Sequence, residues 1–555
     1  MNAKQLHEFA CSVFEKRRSI ERLWQEIAEH FAPQRADFTI IRQEGEDYAG
    51  HLFSSYPLIV ARDLKDQVGQ MLRPVGRPWF QIEPEDPERN DHDAKVWLQA
   101  ASNVQRKAMY DPVAKLDDAA KVGDLDFSVF GQCVLSSEIV WDDPSNGPHL
   151  LHRSWHMRDV CWQEDKYGSV GNRYRRAKYP AWELYALFGD RVHSKVKQLA
   201  TAPDRKRLTE IDCMHMVVQR EMYEPAQKFR REDLPWVSVY YDVTNRHVVE
   251  EVPTFSPYYF IPRWSRSCAQ YAYSPATTIA LPDARLLQAM TRTMLDAGER
   301  VANPPTIATN EVVRSDLALY AGGVTWVDRD YDERLGEAIR PLMTNTHGLP
   351  YNIEMLQRSE QMLTVAFYLN KLRPFLPTQD AEMTAYQAGQ VVAQYIRDAL
   401  PLFAPMEPEY NGQLCELDFE LLRRAGAFGS PYDMPASLQG AKTSFTFQSP
   451  LHDAIESQKG QKFLEMSQLL ATAVQMDPSA AAVPDVVTAF REALSGYQVP
   501  QKWIRSEIVV KQMLEAEQAA KQTQEFLGNL KDGAAAVKDL GSAAATAAQT
   551  GMPLV

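Results

Sequence analysis

Apolar residues recur at helical spacing in several long stretches of this chain. The first stretch runs from Leu6 to Phe31 and predicts one amphipathic helix. A second helix is expected to begin after Ser54 or Ser55, because serine is a good N-terminal cap, and to end before Pro74. The N-terminal part of the chain is therefore predicted to be helical.

The pattern changes between Gly131 and Trp264. Short segments rich in β-branched and aromatic residues alternate there with turn residues, as in "CVLSSEIVWDD", "GNRYRRAKY" and "WVSVYYDV". This pattern predicts a mostly antiparallel β region with helical cover, in which "AWELYALFGD" is a helical insertion. Together with the flanking helices, it indicates an α+β fold.

After Trp264 the chain becomes helical again. The stretch "YAYSPATTIALPDARLLQAM" leads from a loop into a helix predicted from about Pro282 to Val301, roughly 30 Å long. Short strands follow, and a second helix is predicted from about Asn352 to Leu372. The prolines of "KLRPFLPTQDAE" interrupt the helical pattern before it resumes. The Ala-rich end of the chain cannot bury a core.

Size and charge narrow the possible functions. A chain of 555 residues is too long for one core, so two or more domains are expected. A net charge of −13 argues against tight, static wrapping of nucleic acid. The six cysteines show no CxxC pair and are expected to be buried thiols in a reducing compartment. Neither a signal peptide nor a membrane span is predicted.

No catalytic motif in the sequence supports an enzymatic function. The chain contains no GxxxxGK[ST], GxGxxG, HExxH or GxSxG sequence, so we predict no catalytic residues, no cofactor and no metal. Metal binding by His149, His152 and His156 is conceivable. We favour polar residues at a strand edge and turn, because no acidic or thiol partner lies at useful spacing. We interpret "NDHDAK" as a solvated acidic loop and Lys16–Arg18 as a solvated helix face.

Five stretches along the chain carry a family resemblance: "DQVGQMLRPVGRPWFQIEP", "DLDFSVFGQCVLSSE", "RDVCWQEDKYGSVGNRYRR", "YAYSPATTIALPDARLLQAM" and "MTAYQAGQ". In this order they resemble the portal, or head-to-tail connector, proteins of short-tailed bacteriophages of the podovirus type. The resemblance covers roughly residues 3–525. It departs from the family at Ala272, where glycine is common, and at Gln387, where glutamate is frequent.

The resemblance implies a portal fold with a mixed α/β wing, a helical stem, a small β-containing clip and a helical crown, assembled into a ring of usually twelve copies. The expected parts are an N-terminal wing (1–275), stem helix one (276–302), a clip (303–350), stem helix two (351–371), a tunnel loop (372–382), a long helix with a return to the wing (383–450), a crown (451–530) and a low-complexity tail (531–555).

The resemblance also implies a structural function without catalysis. The ring would lie in the virion at one capsid vertex, after synthesis in the host bacterial cytoplasm. It would serve as the channel for DNA packaging and ejection and as the attachment site for the tail. The implied partners are other copies of the chain, the major capsid protein, the terminase motor, tail adaptor or tube proteins, scaffold or internal core proteins, and double-stranded DNA.

The loop that interrupts the helices supplies the candidates for contact with DNA in the channel. These are Lys371, Arg373, Phe375 and Leu376, which bring two cations and an apolar tip. Two alternatives remain open at this stage. One is another phage morphogenesis protein, such as an adaptor or minor head protein, and the other is a metal-dependent packaging nuclease.

Overall fold

The structure is a computed structural model of the 555-residue chain. It describes residues 1–302 apart from 44, 90, 204, 226–233 and 267–269, then 306–308, 339–341, 349–372, 394, 397–399, 401–448 apart from 431–432, 463, 465–472, 475, 483, 485–496, 499, 503, 505 and 509–513.

The chain divides into two compact units. The first comprises Met1–Gln81, Ala101–Ser430 and Phe445–Ile455, and it contains nearly all of the described core. The second comprises Ile82–Ala100, Pro431–Ser444 and Glu456–Val555. The candidate functional site and the cavity described below lie in the first unit.

Helices dominate both ends of the described chain. The α-helices are α1 (Ala3–Lys16), α2 (Arg18–Phe31), α3 (Tyr56–Leu72), α4 (His92–Met109), α5 (Leu116–Phe130), α6 (Ala181–Phe188), α7 (Ser194–Ala200), α8 (Leu281–Ala302), α9 (Leu349–Ala366), α10 (Leu369–Leu372), α11 (Gln413–Ala425) and α12 (Val486–Gly496). Two π-helical turns, Ala276–Ala280 and Glu407–Gly412, directly precede α8 and α11.

The strands are β1 (Phe80–Pro84), β2 (Val134–Val140), β3 (His149–Trp155), β4 (Val160–Glu164), β5 (Val170–Pro180), β6 (Glu210–Gln219), β7 (Trp236–Asp242), β8 (His247–Thr254), β9 (Tyr259–Phe260), β10 (Thr306–Ala308), β11 (Ile339–Pro341) and β12 (Thr443–Phe447). Strands β4 to β8 form an antiparallel sheet in sequence order, and β3, β2 and β9 form a second antiparallel sheet. The predicted antiparallel region and the mixed helix and strand content are confirmed.

The five-stranded sheet is covered by helices on both faces. Alternate residues of β6 explain this, because side chains along a strand point to opposite faces. Met214 and Met216 pack in a cluster with Leu6 and Ala10 of α1. Cys213 instead packs in a cluster with side chains of α6 and α7. The helical insertion predicted within the β region is therefore one layer of this arrangement.

The largest core joins the helices to the smaller sheet. It contains buried side chains from α2, α3, α5, the start of α8, α9 and α11, together with strands β2 and β3. Trp24, Trp162 and Phe127 are among its fully buried side chains. Four of the five described cysteines are buried and all five are free thiols, as expected for small apolar side chains. Among the described helices, none combines the length and apolar character that crossing a membrane requires.

The helix predicted from Leu6 to Phe31 is in fact two helices that meet at Arg17. This side chain is only 1% exposed. Its guanidinium donates hydrogen bonds to the main-chain oxygens of Met157 and Arg158, both at 2.8 Å, and to that of Val160. The interpretation of Lys16–Arg18 as a solvated face is therefore wrong for Arg17, because its buried guanidinium forms an ion pair with Glu21 at 2.8 Å in addition to these hydrogen bonds to carbonyl oxygens far along the chain.

The acidic stretch "NDHDAK" is also more ordered than a solvated loop. Asp91 accepts a hydrogen bond from the main-chain N–H of Ala94 at 2.7 Å. This contact caps the first turn of α4, where main-chain N–H groups lack helical partners. The interpretation as a loop is corrected for this reason.

Candidate functional site at the entry to the long helix

The loop that leads into α8 begins with a partly buried tyrosine, Tyr271. The ring of Tyr271 lies between the rings of Trp24 and Trp162, with centroid distances of 5.5 and 4.8 Å and steep interplanar angles. Its hydroxyl lies 3.3 Å from the sulfur of Cys161. Burial raises the pKa of the Tyr271 phenol, and the nearby thiol adds to this. The phenol therefore stays neutral and acts as an apolar anchor for the loop.

Ser274 connects this loop both to α5 and to the following helix. Its hydroxyl donates to the main-chain oxygen of Val129 at 2.6 Å and accepts from the N–H of Thr277 at 3.1 Å. Its main-chain oxygen accepts from the N–H of Thr278 at 3.1 Å. Pro275 follows with φ −55 and ψ −37, a helical conformation that the proline ring favours.

The turn after α5 is shaped to receive the loop. Gly131 has φ +80, and a Cβ at this position would lie 2.7 Å from the carbonyl carbon of Tyr273 and 2.8 Å from the nitrogen of Ser274. Only glycine meets both requirements, because other residues rarely adopt this φ and the main chain is in contact. Gln132 adds a hydrogen bond, since its side-chain oxygen accepts from the N–H of Ala272 at 2.8 Å.

The π-helical turn Ala276–Ala280 then carries the chain into α8, whose first half is anchored in the core. Ala284 and Leu287 are fully buried. The amide of Gln288 accepts from the N–H of Phe53 at 2.8 Å and donates to the oxygen of Ser54 at 2.8 Å. The direction in which α8 leaves the core is therefore set by packing and by specific hydrogen bonds.

The second half of α8 is not covered within the described chain. The helix has 22 residues, which corresponds to about 33 Å, and none of its residues from 289 to 301 is buried. Helix α9 packs along it, yet both helices leave large apolar side chains 42–65% exposed. The exposed set, here called the α8–α9 apolar surface, is Leu286, Leu295, Val301, Tyr351, Ile353, Met362 and Val365.

A family model described as "Bacteriophage head to tail connecting protein" matches residues 3–504 of this chain. The chain belongs to this family. The connector therefore has a structural role in the phage virion, and the family predicted from the sequence motifs is confirmed.

No curated protein matches the connector. A solved structure titled "Virion of native gene transfer agent (GTA) particle" is similar over 75% of this chain and 86% of that chain, with 9% sequence identity and a TM-score of 0.34.

Of the residues predicted to contact DNA in the channel, only Lys371 belongs to the described part of the connector. It lies at the end of α10, is exposed, and donates its main-chain N–H to the oxygen of Tyr368 at 2.9 Å. Arg373, Phe375 and Leu376 lie outside the described residues, as does nearly all of the stretch predicted to be the clip. The predicted role of these four side chains stays a prediction.

The three clustered histidines have separate partners. His152 lies 2.9 Å from a carboxylate oxygen of Asp418, and His156 lies 2.6 Å from one of Asp37. His149 contacts the main-chain oxygen of Gly147 at 2.8 Å. In the described part of the connector, no group of three or more side chains is arranged to hold a metal ion.

The contact between His152 and Asp418 is a buried link that the sequence did not reveal. Both side chains are almost fully buried, and Asp418 also accepts a hydrogen bond from the hydroxyl of Ser137. Burial lowers the pKa of His152, but the charge and hydrogen bond of Asp418 outweigh burial and raise it overall. The link joins β2 and β3 to α11, so the interpretation of His152 as a residue at a strand edge is corrected.

Proposed function

We propose that copies of the connector associate into a closed ring through the α8–α9 apolar surface, and that double-stranded DNA passes through the central channel. The observation that supports this proposal is the apolar surface that α8 and α9 leave uncovered within the described residues, next to the loop that positions the start of α8. A soluble protein rarely leaves such a surface without a partner. A second copy of the chain is the occupant that fits a connector.

Burial of this surface supplies favourable free energy for association. Fully burying one large apolar side chain stabilises by about 1.5–3 kcal/mol, so burying the exposed half contributes roughly 1 kcal/mol per residue. The set extends along both helices, so the summed contribution is several kcal/mol per contact before the entropy of association is subtracted. Neighbours in a ring meet through two different surfaces, and rotation closes the ring.

The finer assignments are part of the same proposal. The ring has about twelve copies, with the wing, stem, clip, tunnel loop and crown at the boundaries given above, and it lies at one capsid vertex. It contacts the major capsid protein, tail adaptor or tube proteins, and scaffold or core proteins. The connector has no catalysis of its own, and the terminase is the motor that moves DNA through it.

The charge of the connector suits a channel through which DNA slides. Each copy carries a net charge of −13, and a wall without a large cationic surface would not hold the phosphate backbone in place. Lys371 and Arg373 would then make only brief contacts with phosphates. Phe375 and Leu376 would form the apolar tip of the same loop.

A matched pair of substitutions tests ring formation. Leu295 and Leu208 are exposed to a similar extent, 58% and 55%, but only Leu295 belongs to the α8–α9 apolar surface. We expect purified wild-type connector and Leu208→Glu to form rings with a central hole in negative-stain micrographs and mass photometry. Leu295→Glu should shift the population to monomers, because the contact would bury an unpaired carboxylate. Rings of unchanged stability from Leu295→Glu would exclude this surface from the contact, and a wild-type protein that never forms rings would refute the proposal.

A further inference from the structure

A cavity of about 460 Å³ lies beside the beginning of β5 in the first unit. Its walls come from the start of β5, from the segment between β8 and β9, from β9 and the residues that follow it, from the π-helical turn Glu407–Gly412 and from α11. This volume lies within the range of small-ligand sites, about 300–1,000 Å³. None of the residues that line the cavity belongs to the α8–α9 apolar surface, so the cavity is not needed for the contact proposed between copies.

Arg173 is one of two buried arginines in this lining. It is 5% exposed, and its guanidinium donates a hydrogen bond to the main-chain oxygen of Gly171 and lies 5.0 Å from the ring centroid of Trp236. Its Nε makes no hydrogen bond to any described residue, and no described carboxylate lies within ion-pair distance. Burial lowers the pKa of Arg173 to about 9, with Asp165 opposing this effect and Arg263 adding to it.

The second buried arginine of the lining, Arg263, already has partners. It forms an ion pair with Glu164, donates to the main-chain oxygen of Gly168 at 2.7 Å, and lies 3.8 Å from a carboxylate oxygen of Glu409. The buried positive charge of the lining that lacks a carboxylate partner among the described residues is therefore at Arg173, whereas Arg266, which also lines the cavity, is exposed and donates to the main-chain oxygen of Gly168. A buried charge without a partner is unfavourable, and an anion placed beside it would relieve this.

The other side chains of the lining are those that the rest of a ligand would contact. Phe255, Phe260 and Leu417 provide apolar walls. Glu420 also lines the cavity, but its carboxylate is held by Arg423 and Arg424 on its own helix. Glu416 lies on the exposed side of the lining without an ion pair among the described residues.

We propose that this cavity binds an apolar group that carries one oxyanion, a carboxylate or a phosphate, with the oxyanion beside Arg173. Hydrogen bonds between a guanidinium and an oxyanion are among the stronger ones in proteins, and here they would form away from bulk water. Both a free organic acid and an acidic side chain flanked by apolar residues on a partner protein have this chemistry.

Two probes of the same shape separate the role of charge from that of shape. Calorimetric titration of the full-length connector with phenylacetate should show saturable binding, and phenylacetamide should bind at least roughly 10-fold more weakly, because it lacks the charge. Equal binding of the two probes, or no binding of either, would overturn the proposal. If phenylacetate binds equally well to the wild type and to variants with substitutions in the lining, it is an adventitious additive only.

Substitutions in the lining give opposite expected effects. Arg173→Met should abolish phenylacetate binding, whereas Arg153→Met, at an exposed arginine of β3, should leave it unchanged. Glu416→Gln removes a negative charge from the lining and should tighten binding several-fold, which keeps the proposal testable if Arg173→Met fails to fold. Unchanged or weaker binding by Glu416→Gln would contradict the placement of the oxyanion.

The source of the ligand is tested with two blocked tripeptides, Phe-Glu-Phe and Phe-Gln-Phe. If the Glu peptide binds more tightly than both phenylacetate and the Gln peptide, the cavity is assigned to an acidic segment of a partner protein. Tighter binding of phenylacetate would assign it to a free organic acid. Failure of ring formation would leave both results unaffected, because the cavity is formed within one copy of the chain.

Discussion

Replacing Gly131 with alanine should destabilise the connector much more than replacing Gly147 with alanine. Both glycines have positive φ, +80 and +68, so both substitutions place an alanine in the left-handed region. That conformation costs about 1–2 kcal/mol for a residue with a Cβ. Both substitutions therefore carry the energetic cost of the left-handed conformation, and they differ in the space available to the new Cβ.

The difference comes from the space around each Cβ. At position 147 nothing lies within 4 Å, whereas at position 131 the new carbon would meet main-chain atoms of Tyr273 and Ser274 at 2.7 and 2.8 Å. Main-chain atoms cannot rotate away as a side chain can, so the loop or α5 must shift. Overpacking of this kind costs about 1–3 kcal/mol, which gives a total of roughly 2–5 kcal/mol for Gly131→Ala and about 1–2 kcal/mol for Gly147→Ala.

Scanning calorimetry of the two variants measures this difference. One kcal/mol lowers the melting temperature of a large domain by roughly 2–4 °C, so Gly131→Ala should melt several degrees below Gly147→Ala. A ring assay on the same samples adds a functional measurement, because a displaced loop should also disturb the orientation of α8. Equal melting temperatures for the two variants would show that the close approach between Gly131 and the loop does not limit stability.

Three further predictions concern charged side chains. Arg17→Met should destabilise the connector by about 3 kcal/mol or more in urea unfolding, because buried carbonyl oxygens lose their hydrogen-bond donors. Arg18→Met, at an exposed neighbour, should change stability by less than about 0.5 kcal/mol. Similar effects of the two substitutions would contradict the argument from burial. Because the folded-state pKa of His152 is raised, the stabilising contribution of this side chain is present below about pH 6.5 and is lost as pH rises through the folded-state value. Wild type should therefore lose more stability than His152→Gln between pH 6 and pH 9 in unfolding titrations. Parallel curves of stability against pH for the two proteins would refute this. Replacing both Lys371 and Arg373 with alanine should leave ring formation intact and alter packaging or retention of DNA in assembled heads; normal packaging and retention would exclude contact of these two side chains with DNA.

Local patterns predicted the elements of the fold well. The helix predicted after Ser54 or Ser55 is α3, the helix predicted from Pro282 to Val301 is α8, and the predicted antiparallel region contains the five-stranded sheet. Hydrophobic period, capping residues and prolines act over a few positions, so they can be recognised in the sequence without knowing which segments meet.

The contacts that build the candidate site depend on pairs of residues far apart in the chain. The motifs containing Gly131 and Ser274 were each recognised, but their contact spans more than 140 positions and no local pattern encodes it. The same is true of His152 with Asp418, and of Arg17 with carbonyls near position 160. A charged residue at the end of one helix and the start of the next has the same local pattern whether it faces water or a buried main chain.

The π-helical turn Ala276–Ala280 determines which way the outer half of α8 faces. A π turn closes its hydrogen bond over one more residue than an α turn, and each residue of an α-helix advances the rotation by about 100°. With the preceding loop held by Ser274, a chain lacking Thr278 would turn the rest of α8 by about that angle. Reactivity of a thiol introduced as Leu295→Cys, measured with and without this deletion, would record the rotation. One residue in a short turn thus selects which side chains of a long helix face the core and which face its neighbours.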